Sequence, residues 1–214
     1  MTIIWHGQAC FTLQSSDQKV VIDPFHNDIG LTVPALEGEM VLVTHDHTDH
    51  NNITAVSGNP FVVDGAGEYE KQDVRVIGID SYHDDKQGAE RGTNTIYKID
   101  IESMCVVHLG DLGQTGLSSE QIEQIGEVDV LLVPVGGVYT IDGKDAIGIV
   151  HQIQPSVVIP MHYKVKSLNI PLNTNEDFLA EMGAKEVEPR DKFTLKKRAT
   201  AEEDTRTEVV VLKV

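Results

Sequence analysis

Short apolar runs separated by turn-forming residues occur along most of the chain and predict a fold dominated by β-strands. The N-terminal segment has the pattern of a first strand. Residues 11–14 alternate between apolar and polar positions, residues 15–18 are turn formers and residues 19–22 are apolar again, which predicts a β-hairpin. Two further short strands are predicted at residues 40–44 and 61–65.

The second half of the chain repeats this order of elements. Residues 96–99 and 104–107 predict another hairpin that runs into His108-Leu109-Gly110-Asp111, and short apolar strands follow at residues 130–134 and 156–162. Equivalent landmarks lie at nearly constant separations: 88 positions from Asp23 to Asp111, 90 from Thr44 to Pro134 and 96 from Asp64 to Pro160. We interpret this pattern as two similar halves packed about a pseudo-twofold axis. A coincidence between generic α/β units is the alternative.

Helix signals fall between the strands. Helices are predicted from Ser118 to residues 125–126, over residues 142–153, over residues 178–182 and briefly after His50, and a closing strand is predicted at residues 208–214. Strands outnumber helices, and the run Val130-Leu131-Leu132-Val133 is typical of a sheet that is covered by helices. No linker divides the chain, so we expect one α/β (α+β) domain spanning residues 1–214.

The charge balance changes the range of functions to consider. The chain of 214 residues carries 34 acidic residues against 17 Lys and Arg, a formal net charge of −17. This balance argues against a surface that coats nucleic acid, because phosphate contacts require Lys and Arg. Lys164 and Lys166 beside His162, and the Lys-Lys-Arg run at residues 196–198, leave weak nucleic-acid contact open, although both are typical of solvated surface.

Sequence features also indicate a compartment. No apolar run is long enough to span a membrane, and the N-terminus lacks the basic and long apolar regions of a signal peptide. The two cysteines, Cys10 and Cys105, require no disulfide framework and are expected to be buried thiols. These features predict a cytoplasmic protein without membrane contact.

The most informative stretch is Thr44-His45-Asp46-His47-Thr48-Asp49-His50, directly after a predicted strand. His45 and His47 share one face of an extended chain, and a turn into a helix would direct Asp49 and His50 elsewhere. Each pair could then bind its own ion. Imidazole and carboxylate together suit Zn²⁺, and also Mn²⁺ or Fe²⁺. A solvated polar loop is the alternative, which the preceding apolar strand disfavours.

This stretch matches the H-x-H-x-D-H signature of the metallo-β-lactamase-fold hydrolases, which the chain resembles over nearly its whole length. It is most similar to small single-domain bacterial hydrolases related to ascorbate-6-phosphate lactonase. Further motifs match in order: Asp23 in Ile-Asp-Pro-Phe, His83 in Ser-Tyr-His-Asp, Asp111 in His-Leu-Gly-Asp and His162 in Pro-Met-His-Tyr. The resemblance implies a four-layer αββα sandwich of two similar halves, in agreement with the repeat.

The resemblance also implies two divalent metal ions, with Zn²⁺ as the expected metal. The first ion would be bound by His45, His47, His83 and Asp111, and the second by Asp49, His50, His162 and Asp111. Asp23 would orient a ligand from behind. Two ions about 3.5–4 Å apart can share a water and lower its pKa, so that the resulting hydroxide attacks a carbonyl or phosphoryl centre.

The residues expected to take part in catalysis are Asp49, Asp111 and His108. His108 and Tyr163 flank candidate ligands and could donate to the substrate. A strand histidine and a packing phenol are the structural alternatives for these two.

Several weaker candidates complete the set. We expect the pocket rim to be formed by residues 24–39 and 84–93, and His26 and residues 65–70 are further lining candidates. A turn at residues 136–140 precedes a helix N-terminus that could attract an anion. Plain turns are the alternative for both glycine-containing segments. His6 is expected to be structural and His151 exposed.

The expected activity is hydrolysis of a small ester or lactone, with a phosphorylated lactone as one form. Phosphodiester cleavage, RNA included, is the main alternative because the same site supports it, and a weak β-lactamase side activity stays open. A metal-binding protein without turnover is an alternative of another class. The expected partner is a small-molecule substrate, and a homo-oligomer is left open.

Overall fold

The computed structural model describes residues 1–195 and 206–214, in which two large sheets share one apolar core. In spatial order, the six-stranded sheet consists of β14 (Phe193–Thr194), β1 (Thr2–Gly7), β2 (Cys10–Gln14), β3 (Lys19–Ile22), β5 (Met40–Leu42) and β7 (Phe61–Val63). The seven-stranded sheet consists of β15 (Glu208–Val209), β13 (Val157–Met161), β12 (Val130–Pro134), β11 (Met104–His108), β10 (Thr93–Ile101), β9 (Val74–Tyr82) and β8 (Gly67–Lys71). Strands β4 (Leu36–Glu37) and β6 (Val56–Ser57) pair separately.

The predicted repeat is present in the strand pairing. In the first sheet β2 and β3 are antiparallel, and β3, β5 and β7 then run parallel. In the second sheet β10 and β11 are antiparallel, and β11, β12 and β13 then run parallel. The parallel strands of each half therefore end at one edge of their sheet, where the sequence places its ligand motifs.

Alternation along the strands builds two apolar clusters, because successive side chains point to opposite faces. Val20 and Ile22 belong to the core between the sheets, whereas Val21 belongs to a cluster on the outer face of the first sheet. Tyr97 of β10 connects the two sheets across the central core. Its buried hydroxyl donates to the carbonyl of Val43 at 2.8 Å and lies 3.3 Å from the carbonyl of Val63.

Helices cover the second sheet. Within the described residues these are α1 (Ser119–Ile125), α2 (Gly143–Ile153) and α3 (Glu176–Glu181). The first two confirm the prediction, since Ser118 forms a capping box with Gln121 and Asp142 caps the first amides of α2. The outer face of the first sheet is covered instead by irregular chain, including a 3-10 turn at Asn27–Ile29.

None of the helices in residues 1–195 and 206–214 combines the length and apolar character that crossing a membrane requires.

Some predicted elements are corrected by the structure. The expected helix after His50 is a single 3-10 turn at Ile53–Ala55, and the third helix is Glu176–Glu181 instead of residues 178–182. The closing strand covers only Glu208–Val209. Strand β9 was missed because exposed polar residues, Arg75 and Asp80, interrupt its apolar sequence, although its buried positions recur with strand spacing.

The hydroxyl of Tyr97 should contribute measurably to stability. Tyr97→Phe is expected to lower the free energy of unfolding by about 1 kcal/mol, since the two buried carbonyls lose a donor. The measurement is urea unfolding followed by fluorescence. Tyr82→Phe is the matched control, because Tyr82 is exposed, and equal losses in both variants would contradict a connecting role for Tyr97.

Candidate metal centre

The predicted ligands lie at the carboxyl ends of strands from both sheets. The histidine-rich segment follows β5, His83 follows β9, Asp111 follows β11 and His162 follows β13. The structure brings these side chains together in two groups: His45, His47 and His83 in the first, and Asp49, His50, Asp111 and His162 in the second. Within each group, the candidate ligand atoms lie within 4.8 Å of one another.

Asp111 joins the two groups. Its Oδ2 atom lies 3.3 Å from Nε2 of His83 and 3.9 Å from Nε2 of His45. The same oxygen lies 3.1 Å from Nε2 of His162, and Oδ1 lies 3.4 Å from Nε2 of His50. One carboxylate thus reaches both sets of imidazoles, which is the placement expected of a bridging ligand.

Several polar atoms at this centre are buried without a hydrogen-bond partner in the structure: His45 Nε2, His50 Nε2, His83 Nδ1, His162 Nδ1 and Asp111 Oδ1. Leaving such atoms unpaired costs folding free energy. Imidazole nitrogens and carboxylate oxygens are common ligands of Zn²⁺. The opposite ring nitrogens of His45 and His50 are held by neighbouring oxygens, which leaves Nε2 of each ring for an ion. The residues therefore fit a divalent metal.

Asp23 supports this arrangement from behind. Its fully buried carboxylate accepts hydrogen bonds from the backbone N–H of Thr44 at 2.8 Å, from the Thr44 hydroxyl at 2.7 Å and from Nδ1 of His50 at 2.9 Å. The backbone of Asp23 is in the left-handed region, at φ +46°, where a short polar side chain is tolerated better than most. A carboxylate behind a histidine fixes the ring and its tautomer, which is the predicted role of Asp23.

Electrostatics place the charges that a cation site requires. Burial and, to a smaller extent, the neighbouring His50 lower the pKa of His45 to about 2, so the ring is neutral. Burial also opposes charge on His50, but the carboxylates of Asp111, Asp23 and Asp49 raise its pKa well above the usual range. For Asp111, burial raises the pKa, yet His162 and His50 hold it well below its ordinary value. Ionised carboxylates thus draw positive charge to this point.

Asn94 is a contributor that the sequence analysis missed. Its side-chain oxygen accepts from the backbone N–H of Asp111 at 2.9 Å, and its amide donates to the carbonyl of Leu109 at 2.9 Å and to the Ser81 hydroxyl at 2.7 Å. Gly110 is required beside it, because its φ is +56° and a Cβ atom would lie 2.2 Å from the Asn94 oxygen. A polar residue at a buried strand position was the signal that could have identified Asn94.

Gln8 is the second missed residue. It lies in the turn between β1 and β2, is fully buried, and its Nε2 atom is 2.8 Å from both Asp49 Oδ2 and His162 Nε2. The backbone carbonyl of Gln8 accepts a hydrogen bond from the backbone N–H of His162 at 3.0 Å. Gln8 therefore positions two members of the second ligand group. A single glutamine in a short turn carries no sequence signal for this role.

Two predicted catalytic or substrate contacts are corrected. His108 is fully buried, its Nε2 lies 2.9 Å from the carbonyl of Ala9, and its Nδ1 accepts from the N–H of Gly110. Both ring nitrogens are engaged inside the protein, so His108 has the structural role of a strand histidine. Tyr163 is also buried and packs on Trp5 with ring centroids 5.0 Å apart, as a packing phenol.

Of the weaker candidates, residues 136–140 contribute Tyr139 to the lining of the ligand cavity. His26 is exposed and is absent from the cavity lining. The loop expected at residues 65–70 is corrected, because residues 67–70 belong to the edge strand β8. The helix N-terminus after residues 136–140 has no free anion site, because the Asp142 carboxylate accepts from the first amides of α2. His6 lies 2.8 Å from the Thr12 hydroxyl, and burial lowers its pKa to about 4.

Other expectations concern surface and thiol residues. His151 is exposed as predicted, and Cys10 and Cys105 are buried free thiols. The Lys164 ammonium contacts the carbonyl of Leu168, so it shapes its own loop instead of presenting a free cation. The basic run at residues 196–198 lies outside the described residues.

A cavity of about 650 Å³ opens over the two ligand groups. The ligands that line it are His47, Asp49, His83, Asp111 and His162. The predicted rim is confirmed, since residues 24–39 contribute Asp28 and Ile29, and residues 84–93 contribute Glu90 and Arg91. Tyr139, Asn169, Ile170 and Pro171 complete the wall from two segments that were not predicted to form the rim.

Two sheets of matching topology, with histidines and aspartates gathered where their strands end, define a metal-dependent hydrolase of the metallo-β-lactamase fold. Residues 2–162 match the family model of the β-lactamase superfamily domain, and the chain belongs to that family.

Comparison with known proteins agrees with this class. The chain is 33% identical over 189 residues to a UPF0173 metal-dependent hydrolase of Methanoregula boonei. The aligned segment covers 76% of this chain and 82% of that protein. The chain is 32% identical over 212 residues to a UPF0173 protein of Pyrococcus furiosus, covering 85% and 90%. The chain is also similar to a crystal structure from Thermotoga maritima that is assigned to a Zn-dependent hydrolase of the metallo-β-lactamase superfamily. The sequences are 35% identical and the TM-score is 0.80. The match covers 99% of this chain and 97% of the other.

Removing bound metal should destabilise the protein, because ions bind the folded state preferentially. At an ion concentration about 100 times the Kd, chelation is expected to lower Tm by roughly 5–10 °C. Thermal melts before and after chelation, and after adding Zn²⁺ back, measure this shift. An unchanged Tm in the loaded wild-type protein would contradict metal binding, and Asp111→Ala should show little response.

Asp23 should act on metal affinity without contacting the ion. Asp23→Asn removes the negative charge behind His50 and is expected to weaken metal binding by about 10–100-fold. Competition with a chromophoric chelator measures the affinity. Asp46→Ala is the control, because Asp46 is an exposed acid in the same segment, and an equal loss in both variants would show a nonspecific charge effect.

Proposed function

We propose that this hydrolase uses a dinuclear centre to open a small ester or lactone, with Zn²⁺ as the expected metal and Mn²⁺ or Fe²⁺ as alternatives. The observation that carries the proposal is the position of Asp111, which joins two groups of imidazole and carboxylate ligands beneath one cavity. The motif resemblance to small lactonases supports the carbonyl-ester substrate. We also propose a cytoplasmic location.

When bound, two divalent ions would acidify a shared water and polarise the carbonyl of the substrate. The residues of the chain have separate tasks. Asp111 would contribute a ligand to both ions, and Asp23 would keep His50 in one tautomer. The Asp49 side chain is 19% exposed and lines the cavity, so it can accept a hydrogen bond from a water there and orient it.

The cavity favours a small molecule over nucleic acid. A volume of about 650 Å³ lies in the range of sites for small organic ligands. Ile29, Ile170 and Pro171 provide an apolar wall for the carbon skeleton of a substrate. The net charge of −17 disfavours the approach of a polyanion, so we propose a small-molecule partner.

Rate assays on matched substrates test this proposal. Zn²⁺-loaded and Mn²⁺-loaded protein would be given a panel of lactones, bis(4-nitrophenyl) phosphate and a chromogenic β-lactam. Lactones should be opened with the highest kcat/KM. Asp111→Ala should lower kcat/KM by at least about 100-fold, because the shared ligand of both ions is lost, while Asp46→Ala should retain activity.

The alternatives have distinct outcomes. Faster cleavage of the phosphodiester, lost in Asp111→Ala, would replace the lactonase proposal with a phosphodiesterase. A higher kcat/KM for the β-lactam would replace it with a β-lactamase. No turnover of any substrate by fully loaded protein would favour a metal-binding protein without catalysis.

A further inference from the structure

Arg91 is the guanidinium group of the cavity. Among the described residues that line the cavity, it is the only Lys or Arg. It is exposed, so its guanidinium can reach a molecule that enters. Positive side chains are in the minority in this chain, whose net charge is −17, and Arg91 is one that lies at the cavity.

The backbone at Arg91 is fixed by Asp84, the neighbour of the candidate ligand His83. The buried Asp84 carboxylate accepts from the backbone N–H of Arg91 at 2.7 Å and of Glu90 at 2.9 Å. It also accepts from the amides of Lys86 and Gly88, each at 2.8 Å.

The guanidinium contacts the segment of residues 136–140. It donates to the carbonyl of Val138 at 3.2 Å and lies over the Tyr139 ring, 5.6 Å from its centroid. Val138 has φ +63°, which is unfavourable for a β-branched residue and is found where the chain is constrained for function. Arg91 thus links two of the segments that border the cavity, residues 84–93 and 136–140.

No carboxylate in the described residues neutralises Arg91 within ion-pair distance. The adjacent Glu90 contacts the Lys86 ammonium instead, so its charge is already balanced. A guanidinium has five N–H donors, and the Val138 carbonyl accepts one of these in the structure. The remaining donors suit the paired oxygens of a carboxylate or phosphate.

We propose that Arg91 binds an anionic substituent of the substrate, a carboxylate or a phosphate group, while the ester or lactone carbonyl lies over the ligand groups. This inference rests on the proposed hydrolase function and names its substrate class. Tyr139, Ile170 and Pro171 would contact the carbon skeleton between the two ends. The acidic surface would not prevent binding, because the charge of Arg91 acts at short range inside the cavity.

Three lactones with one ring system test the proposal: one with a neutral hydroxymethyl group, one with a carboxylate and one with a phosphate ester. Zn²⁺-loaded wild-type protein should prefer an anionic lactone over the neutral one, and the better of the two distinguishes carboxylate from phosphate. Arg91→Met should raise KM for that lactone by about 10–100-fold. Its kcat, and both constants for the neutral lactone, should stay within about threefold.

Two further variants separate charge from structure. Arg91→Lys should recover part of the affinity, because the charge is kept and the planar pair of donors is lost. Arg75→Met is the matched control, since Arg75 is an exposed arginine on β9 that pairs with Glu68 outside the cavity, and it should leave the preference unchanged. Equal losses for neutral and anionic lactones in Arg91→Met would overturn the proposal.

A binding measurement keeps the inference testable if no lactone is turned over. The Nε–H NMR signal of Arg91 in the Zn²⁺-loaded protein, identified by its absence in Arg91→Met, would be followed during titration with inorganic phosphate and with acetate. A saturable shift would support the anion site even though the hydrolase proposal had failed. No shift with either anion would overturn the anion site and leave the hydrolase question to the rate assay.

Discussion

The buried carboxylate of Asp111, with imidazole nitrogens of four histidines within 3.9 Å, is the constraint on which the rest of this structure depends. A carboxylate removed from water must be compensated by positive charge or by donors. Here the surrounding rings present unpaired nitrogens, and the raised pKa of His50 shows how strongly the carboxylates attract a positive charge. A divalent ion satisfies both the carboxylate and the rings, which is why the site is a metal centre instead of an ordinary polar cluster.

The duplicated strand order brings these groups together. Each half contributes a hairpin followed by parallel strands, so the carboxyl ends of both halves can supply ligands to one place. Supporting residues then fix each ligand: Asp23 behind His50, Asn94 beneath Asp111, and Gln8 between Asp49 and His162. The scaffold orders the side chains before any substrate arrives, which reduces the conformational cost of catalysis.

The cavity above the centre combines features with different consequences. The candidate ligands lie beside an apolar wall formed by Ile29, Ile170 and Pro171, and this wall suits the small organic molecule that we propose as the substrate. In our proposal Arg91 would orient the substrate, because a charged group bound at the rim would fix how the scissile bond lies over the ligands. Asp84 connects these functions, since it follows the candidate ligand His83 and anchors the backbone that carries Arg91.

The sequence by itself determined whatever depends on local spacing. The H-x-H-x-D-H segment and the capped helices could be predicted because each rests on residues close in the chain. His83, Asp111 and His162 were identified as candidate ligands through their resemblance to family motifs. Only the tertiary structure decided between the two readings of His108, because it shows both ring nitrogens engaged inside the core. The positions of Gln8 and Asn94 beside the ligands, and the contact of Arg91 with Val138, were likewise decided there. Their contacts join residues distant in sequence, and the distance between such residues is set by how the two sheets pack, which no local pattern records.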